Sequence, residues 1–319
     1  MNTLLKYKWP LGMIVIVAFG ALLPVIFSGF LMMTVVINAL IFTIAVYSLT
    51  IVLGMGGQVA FSTAAMMGIG AYTTGILTAR HGVHPLLAML ASIAVVVVVS
   101  FLIGFALFRL KGTYFAFATI AFAQIVFVVM INWRELTGAA AGLRNIPPLH
   151  LGFMAVNTHQ RYMYVIYAFM VLCGLAVHRI RKSSLGRSLA AIRDNEIAAQ
   201  CLGVKVYRTQ IIAYMVAGVF SAIAGSLYAH FYMFLSPVPF GFDQAALFLI
   251  MAMLGGIQST VGAFIGTFVL TVLPEYMRFL RGYFLLIYGI GVILIMVFMP
   301  MGIAGLIKTL MGKVMRRKG

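Results

Sequence analysis

Arg179-Ile-Arg-Lys-Ser-Ser-Leu-Gly-Arg-Ser-Leu-Ala-Ala-Ile-Arg-Asp-Asn-Glu-Ile-Ala-Ala-Gln-Cys-Leu-Gly-Val-Lys-Val-Tyr-Arg208 is a basic stretch set between two apolar runs, each long enough to cross a bilayer. Its seven Lys and Arg residues fix its side of the membrane, because short loops rich in these cations are retained in the cytoplasm. Helix propensity is good from Leu185 to Cys201, and Leu185, Leu189 and Ile192 recur at i, i+4, i+7 spacing. Two readings of the stretch stand side by side: a solvated loop that only obeys the charge rule, or a short amphipathic helix offered to a soluble partner.

Working outward, the rest of the chain sets the class. Of its 319 residues 64% are hydrophobic and only 8% charged, with mean hydropathy +1.12, far from soluble globular usage. The acids are Glu135, Asp194, Glu196, Asp243 and Glu275, so the formal charge of +17 reflects missing acids as much as added bases. The cations sit between apolar spans, where topology and anionic lipid explain them better than nucleic acid does. Cys173 falls in a span and Cys201 in the basic loop, which predicts no disulfide.

A hydrocarbon core about 30 Å thick needs about 20 apolar residues per helix. Segments of this kind are read at 11–27, 31–53, 62–79, 86–108, 113–131, 161–178, 210–233, 244–257, 261–273 and 283–299. The first follows Lys6 and Lys8 with no small-residue cleavage site after it, and is read as an uncleaved signal anchor. The C-terminus carries Lys308, Lys313, Arg316, Arg317 and Lys318, so it and the 179–209 loop are both placed inside, which demands an even number of crossings between them. Reading 244–273 as two short helices broken at Gly255-Gly256 satisfies that demand. The expectation is an all-α polytopic membrane protein, a single permease-like domain over 1–319, with about ten transmembrane or partly spanning helices. The 132–160 segment is its main external loop, and both termini are cytoplasmic.

Each half carries a glycine-broken segment: Gly54-Met-Gly-Gly-Gln58 with Gly68 and Gly70 behind it, and Gly255-Gly256-Ile-Gln258 with Gly262 and Gly266. Such pairs, often inverted repeats, mark translocation paths, since freed backbone groups are tolerated in a membrane only where protein or water satisfies them. Close helix packing is the plainer alternative. No Gly-x4-Gly-Lys-Ser/Thr phosphate loop occurs, and His81, His84, His150, His159 and His178 lack metal-ligand spacing. No span carries a carboxylate near its middle, which argues against an ion-coupled carrier or an intramembrane hydrolase. The polar residues within or beside spans are neutral: Asn38, Thr43, Gln58, Ser62, Thr63, Gln124 and Gln258.

A pore-like body without an energy source, joined to a cytoplasmic helix that could receive one, follows the logic of an ABC importer's membrane subunit. Four blocks resemble the LivM-type permeases of bacterial branched-chain amino acid importers. They are Gly57-Gln-Val-Ala-Phe-Ser-Thr-Ala-Ala-Met-Met-Gly-Ile-Gly-Ala-Tyr72, Leu110-Lys-Gly-Thr-Tyr-Phe-Ala-Phe-Ala-Thr-Ile-Ala-Phe122, Trp133-Arg-Glu-Leu-Thr-Gly138 with Gly142-Leu143 and Ile146-Pro147, and the loop Ser184–Gly203. The loop keeps the spacing Ala198-Ala199-x3-Gly203, with Ile197 where importers usually place Glu, and Glu196 one position earlier. Gln124 stands where many relatives have an acid, and Gly138-Ala139 where Gly-Gly is expected.

The resemblance implies a type II ABC-importer-like fold and a complex in the bacterial inner membrane. Its partners would be a homologous second permease, two ATPase subunits and a periplasmic binding protein. ATP and Mg would be held by the ATPases, and no cofactor, metal or catalytic residue by this chain, which is no enzyme. A helix within 185–203 would dock on an ATPase, with Arg187, Arg193, Asp194 and Glu196 setting its orientation. Ala198, Ala199 and Gly203 would be small to let another surface approach, and Leu189 and Ile192 would anchor the helix. Gln58, Ser62, Thr63 and Gln258 would border the path of leucine, isoleucine or valine. Urea or short amides are the alternative cargo, and a stand-alone carrier the remote one.

Overall fold

A computed structural model describes residues 29–110, 112–151, 154–155 and 158–276, and residue 289. The expected span 11–27, all of 283–299 but residue 289, the C-terminal basic cluster and both termini lie outside the described residues.

Helix α1, Phe30–Leu49, continues as a wider π turn, Thr50–Met55. An irregular segment leads to α2, Thr63–His81, which Gly82 ends in the left-handed conformation at φ +61°. Pro85 opens α3, Pro85–Leu107, in the first turn, where its missing N–H costs nothing. Then come α4, Thr113–Asn132, and a one-turn α5, Arg134–Thr137. Two two-residue strands, His150–Leu151 and Met154–Ala155, pair antiparallel beyond it. Helix α6 is His159–Lys182, followed by the short pair α7, Ser184–Asp194, and α8, Glu196–Cys201. The long α9, Val206–Tyr232, precedes α10, Phe242–Gly255, and α11, Thr260–Tyr276.

Every expected span among the described residues is a helix, and 244–273 is two helices rather than one. At 14 residues α10 is short of the roughly 20 residues a full crossing needs, and α11 is described over 17 residues.

The core lies where α1 and α9 cross α2. Glycines permit backbone contact there: a Cβ on Gly225 would sit 2.0 Å from the Met67 carbonyl oxygen, and one on Gly70 2.7 Å from the Ala222 Cα. Hydroxyls supply the polar adhesion that lipid cannot disrupt. Ser226 Oγ lies 2.6 Å from Thr74 Oγ1 and 2.8 Å from Ser92 Oγ, tying α2, α3 and α9 together. Helices α3 and α4 show large apolar side chains outward, among them Leu90, Leu102, Phe117 and Ile125.

The bundle has two ends, because α6 separates the 132–160 segment from the basic loop by its whole length of 24 residues. At the end away from the basic loop, Leu143 and Leu235 exchange backbone hydrogen bonds of 2.8 and 2.9 Å. There, too, Arg80 donates to the Glu135 carbonyl at 2.5 Å. The described residues around Glu135 and Leu143–Ile146 are thus tied to the bundle.

Candidate functional site

The two glycine breaks meet at the basic end. A Cβ on Gly54 would stand 2.2 Å from the carbonyl oxygen of Ile257, so only glycine lets the second break approach the first. Phe42 and Phe248 pack edge to face at 5.2 Å farther up the same two helices. Contacts in the order 42 with 248, then 54 with 257, mean that α1 and α10 run the same way. Each then turns back, since Thr63 on α2 meets Ser48 at 3.4 Å and a Cβ on Gly255 would strike the Gly262 carbonyl. Among the described residues the two broken hairpins therefore stand the same way up, with both breaks at one end and in mutual backbone contact.

Backbone accounting explains how the first break is held. The carbonyls of Ile51, Val52 and Leu53 accept from the N–H groups of Gly56, Gln58 and Gly57 at 3.2, 3.1 and 2.9 Å. The Gly54 carbonyl is taken by Arg193, whose Nη1 donates to it at 2.9 Å. A guanidinium at a helix C-terminus satisfies an orphan acceptor and opposes the negative end of the helix dipole. Arg193 lies against Gly57 as well, where a Cβ would come 2.7 Å from its Cγ.

Arg193 belongs to α7, so the basic loop is clamped onto the joined breaks. Leu189 and Ile192 are buried beneath it, as their spacing predicts, and Leu189 Cδ2 approaches Gly56. The loop forms two helices where one was expected. Asn195 is extended at φ −160° and its side chain caps α8, accepting from the Ala198 N–H at 3.0 Å. Asp194 pairs with its neighbour Arg193 at 3.0 Å, an exposed contact of little energetic weight. Arg187 donates to the Lys182 carbonyl at 2.8 Å, closing the α6–α7 corner. Glu196 opens α8.

Ala198 is exposed, but Ala199 is buried with Ile192 and Val206. Its small size serves packing inside the loop instead of an approaching surface. Gly203 adopts φ +83° with open space around it. Sequence reasoning missed two large apolar side chains exposed here: Ile197 on α8 and Leu202 just after it are 75% and 81% exposed. Apolar residues in so polar a segment were the available signal.

The four path residues do not form one group. Gln258 is exposed and Gln58 half-buried beside the breaks. Ser62 and Thr63 are buried, and Tyr214 of α9 donates to Ser62 Oγ at 2.6 Å. They hold α2 to its neighbours. His230 is buried at the far end of α9, where Nδ1 donates to the Pro147 carbonyl at 2.8 Å. A carbonyl only accepts, so that ring nitrogen carries the proton.

Residues 31–300 match the model of a family described as the permease component of branched-chain amino acid transport systems. The chain belongs to this permease family. It is 28% identical over 292 residues to the high-affinity branched-chain amino acid transport system permease protein LivM of Escherichia coli K12, covering 83% of this chain and 68% of the relative. Over 118 residues it is 30% identical to LivH of Salmonella typhimurium, a permease protein of the same named system, covering 37% of each. The autoinducer 2 import system permease LsrC of Salmonella typhi is 25% identical over 162 residues, 48% of this chain and 44% of the relative. No solved structure matches the permease. A multi-pass membrane permease is what both the family and the helices require.

Proposed function

We propose that this permease is one membrane-spanning subunit of an ATP-driven importer for leucine, isoleucine and valine in a bacterial inner membrane. In this reading the 179–209 loop and both termini are cytoplasmic, and 132–160 faces outward. The observation that carries the proposal is the clamp of α7 on the two breaks through Arg193 and Gly54. A soluble ATPase that grips α8 at Ile197, Ala198 and Leu202 would move α7. Because Arg193 and Leu189 bear on Gly54–Gly57, which bears on Ile257, that movement reaches both broken hairpins without passing through any flexible linker.

The partners in this proposal are two ATP-binding subunits, which hold ATP and Mg, a periplasmic binding protein, and a homologous second permease. The presence of LivM and LivH among the relatives supports the last of these. The second permease would seat on the outward face of α4, where Tyr114, Phe117 and Ile125 are exposed together with the mid-span amide of Gln124. A polar side chain at that depth is costly against lipid and is accommodated by a protein or water-lined surface. Gln58 and Gln258 would border the exit of the shared path, with the cavity opening to each side in turn as the ATPases close and part.

Reconstitution of the permease pair, ATPases and binding protein in proteoliposomes tests this reading. ATP-dependent uptake of labelled leucine, isoleucine or valine is the expected result. Uptake of urea or a short amide instead keeps the importer and changes the cargo. Transport by this chain without an ATPase refutes the mechanism.

A further inference from the structure

The outward side of α3 ends in a cation. Phe101 and Phe105, one turn apart, are both exposed, and their rings meet at 6.5 Å. Val98 and Leu102 are exposed beside them. Arg109 follows one turn further on, just past the helix end at Leu107. It lays its guanidinium over the Phe105 ring, with Cζ 4.7 Å from the centroid. An apolar stripe and its charged tip therefore run along one face of α3, toward the end of the bundle that carries the basic loop.

Helix α9 joins the stripe from its own first turn. The Tyr207 hydroxyl donates to the Phe105 carbonyl, and its ring stands edge to face on Phe105 at 5.9 Å. Those contacts bring the exposed cations on either side of Tyr207, Lys205 and Arg208, to the level of Arg109. Among the described residues none of these three cations has an ion pair, and Arg109 has no hydrogen bond. Asp194, an acid of the neighbouring loop, is committed to Arg193 at 3.0 Å. A guanidinium resting on a ring is held by its face, which leaves the N–H groups around its edge for an acceptor.

We infer that the α3–α9 corner at the basic end is a binding site for one anionic phospholipid of the adjoining leaflet. The phosphodiester takes the N–H fork of Arg109, whose geometry matches paired phosphate oxygens. Lys205 and Arg208 add charge around it, as basic residues at a membrane surface do. One acyl chain lies along Phe105, Phe101 and Val98, and the six residues from Leu107 back to Phe101 carry it about 9 Å into the hydrocarbon. Two features separate this corner from the general attraction of a basic loop for a charged surface. The cations converge from two helices tied together by Tyr207, and an apolar track continues from them down α3. A zwitterionic lipid offers the same phosphate but adds a cation to a cluster that is already positive, so the corner selects a lipid of net negative charge. Val206 of the same α9 turn is buried with Ile192 and Ala199, so the headgroup sits beside the packing that seats α7. The inference depends on neither the cargo nor the direction of transport.

The test uses the whole complex, purified in a neutral detergent and titrated with phosphatidylglycerol or phosphatidylcholine under native mass spectrometry. The unaltered complex should hold one phosphatidylglycerol at concentrations where phosphatidylcholine is lost. Arg109→Gln should weaken that binding about fivefold, and Arg109→Gln with Arg208→Gln about 25-fold, the loss expected for each cation at a charged lipid. Both side chains are exposed, so the melting temperature of the complex should hold. Arg144→Gln is the control. Arg144 lies over the Phe234 ring at 6.0 Å at the opposite end of the bundle, so this change removes the same charge and the same kind of contact and should leave binding as it was. An equal loss in Arg144→Gln, or unchanged binding in the double variant, overturns the site. Competition by millimolar inorganic phosphate makes it a soluble-anion site and overturns the lipid assignment. Binding that appears only once the ATPase subunits are stripped away overturns it too, since a protein would then cover the corner.

Discussion

At the scale of the residue, Arg193 and Gly54 carry the most consequence. The guanidinium reaches the Gly54 carbonyl at 2.9 Å with the side chain only partly exposed. Arg193→Met removes that donor and leaves a helix-end carbonyl unpaired, yet disturbs none of the buried core. The expected result is an assembled complex whose basal ATP hydrolysis persists while substrate uptake falls about tenfold, consistent with a lost charge-assisted hydrogen bond of roughly 1.5–3 kcal/mol. Parallel ATPase and uptake assays on the variant check it, and equal loss of both would assign Arg193 a purely structural role. Gly54→Ala acts differently. Its methyl group would lie 2.2 Å from the Ile257 oxygen, so the breaks must separate, at a cost of about 1–3 kcal/mol as for other overpacked sites. A lowered melting temperature of the purified permease, with partial uptake, is the outcome to look for. Arg193 was legible in the sequence as a polar residue of the loop. Its partner was not, because a contact across 139 positions leaves no local pattern.

At the scale of the element, α8 is where sequence and structure diverge most usefully. The loop reads as one helix until Asn195, whose capping side chain starts a second helix in a new direction and turns Ile197 and Leu202 outward. Leu202→Asp should leave the permease inserted and correctly folded, since the side chain is 81% exposed, while ATPase subunits fail to co-purify. Retained ATPase binding would move the docking surface elsewhere. Helix α2 teaches the opposite lesson. Ser62 and Thr63 look like path-lining residues because they are polar and follow glycines, yet both are sealed against α1 and α9. Ser62→Trp is therefore expected to block uptake by disrupting the bundle, with the permease lost from the membrane fraction on immunoblots, rather than by plugging a channel. The helices themselves were readable from hydrophobic run length and from Gly and Pro punctuation. Which polar side of each faced inward was not, since polar residues satisfy helix neighbours as readily as they face water.

For the whole molecule, the proposed orientation makes a prediction that uses the chain's own chemistry. Cys173 is buried and Cys201 exposed in the basic loop, so Cys201 is a native reporter of one side, and a cysteine introduced at exposed Ala140 reports the other. In intact cells an impermeant maleimide should label the Ala140→Cys site and spare Cys201, which becomes reactive once the membrane is permeabilised. Labelling of Cys201 from outside would invert the molecule and remove the ATPase from reach of α8. The class and the positions of the helices were legible in the linear sequence, as was the basic character of the loop. Each follows from quantities that accumulate along the chain, namely apolar length, charge bias and backbone punctuation. The folded arrangement of the helices alone shows that the breaks touch, that they stand the same way up and that Arg193 holds them. Those facts depend on the relative rotation and depth of helices far apart in sequence. Close contacts of small residues and single hydrogen bonds set that rotation and depth, not any periodicity that a linear reading can see.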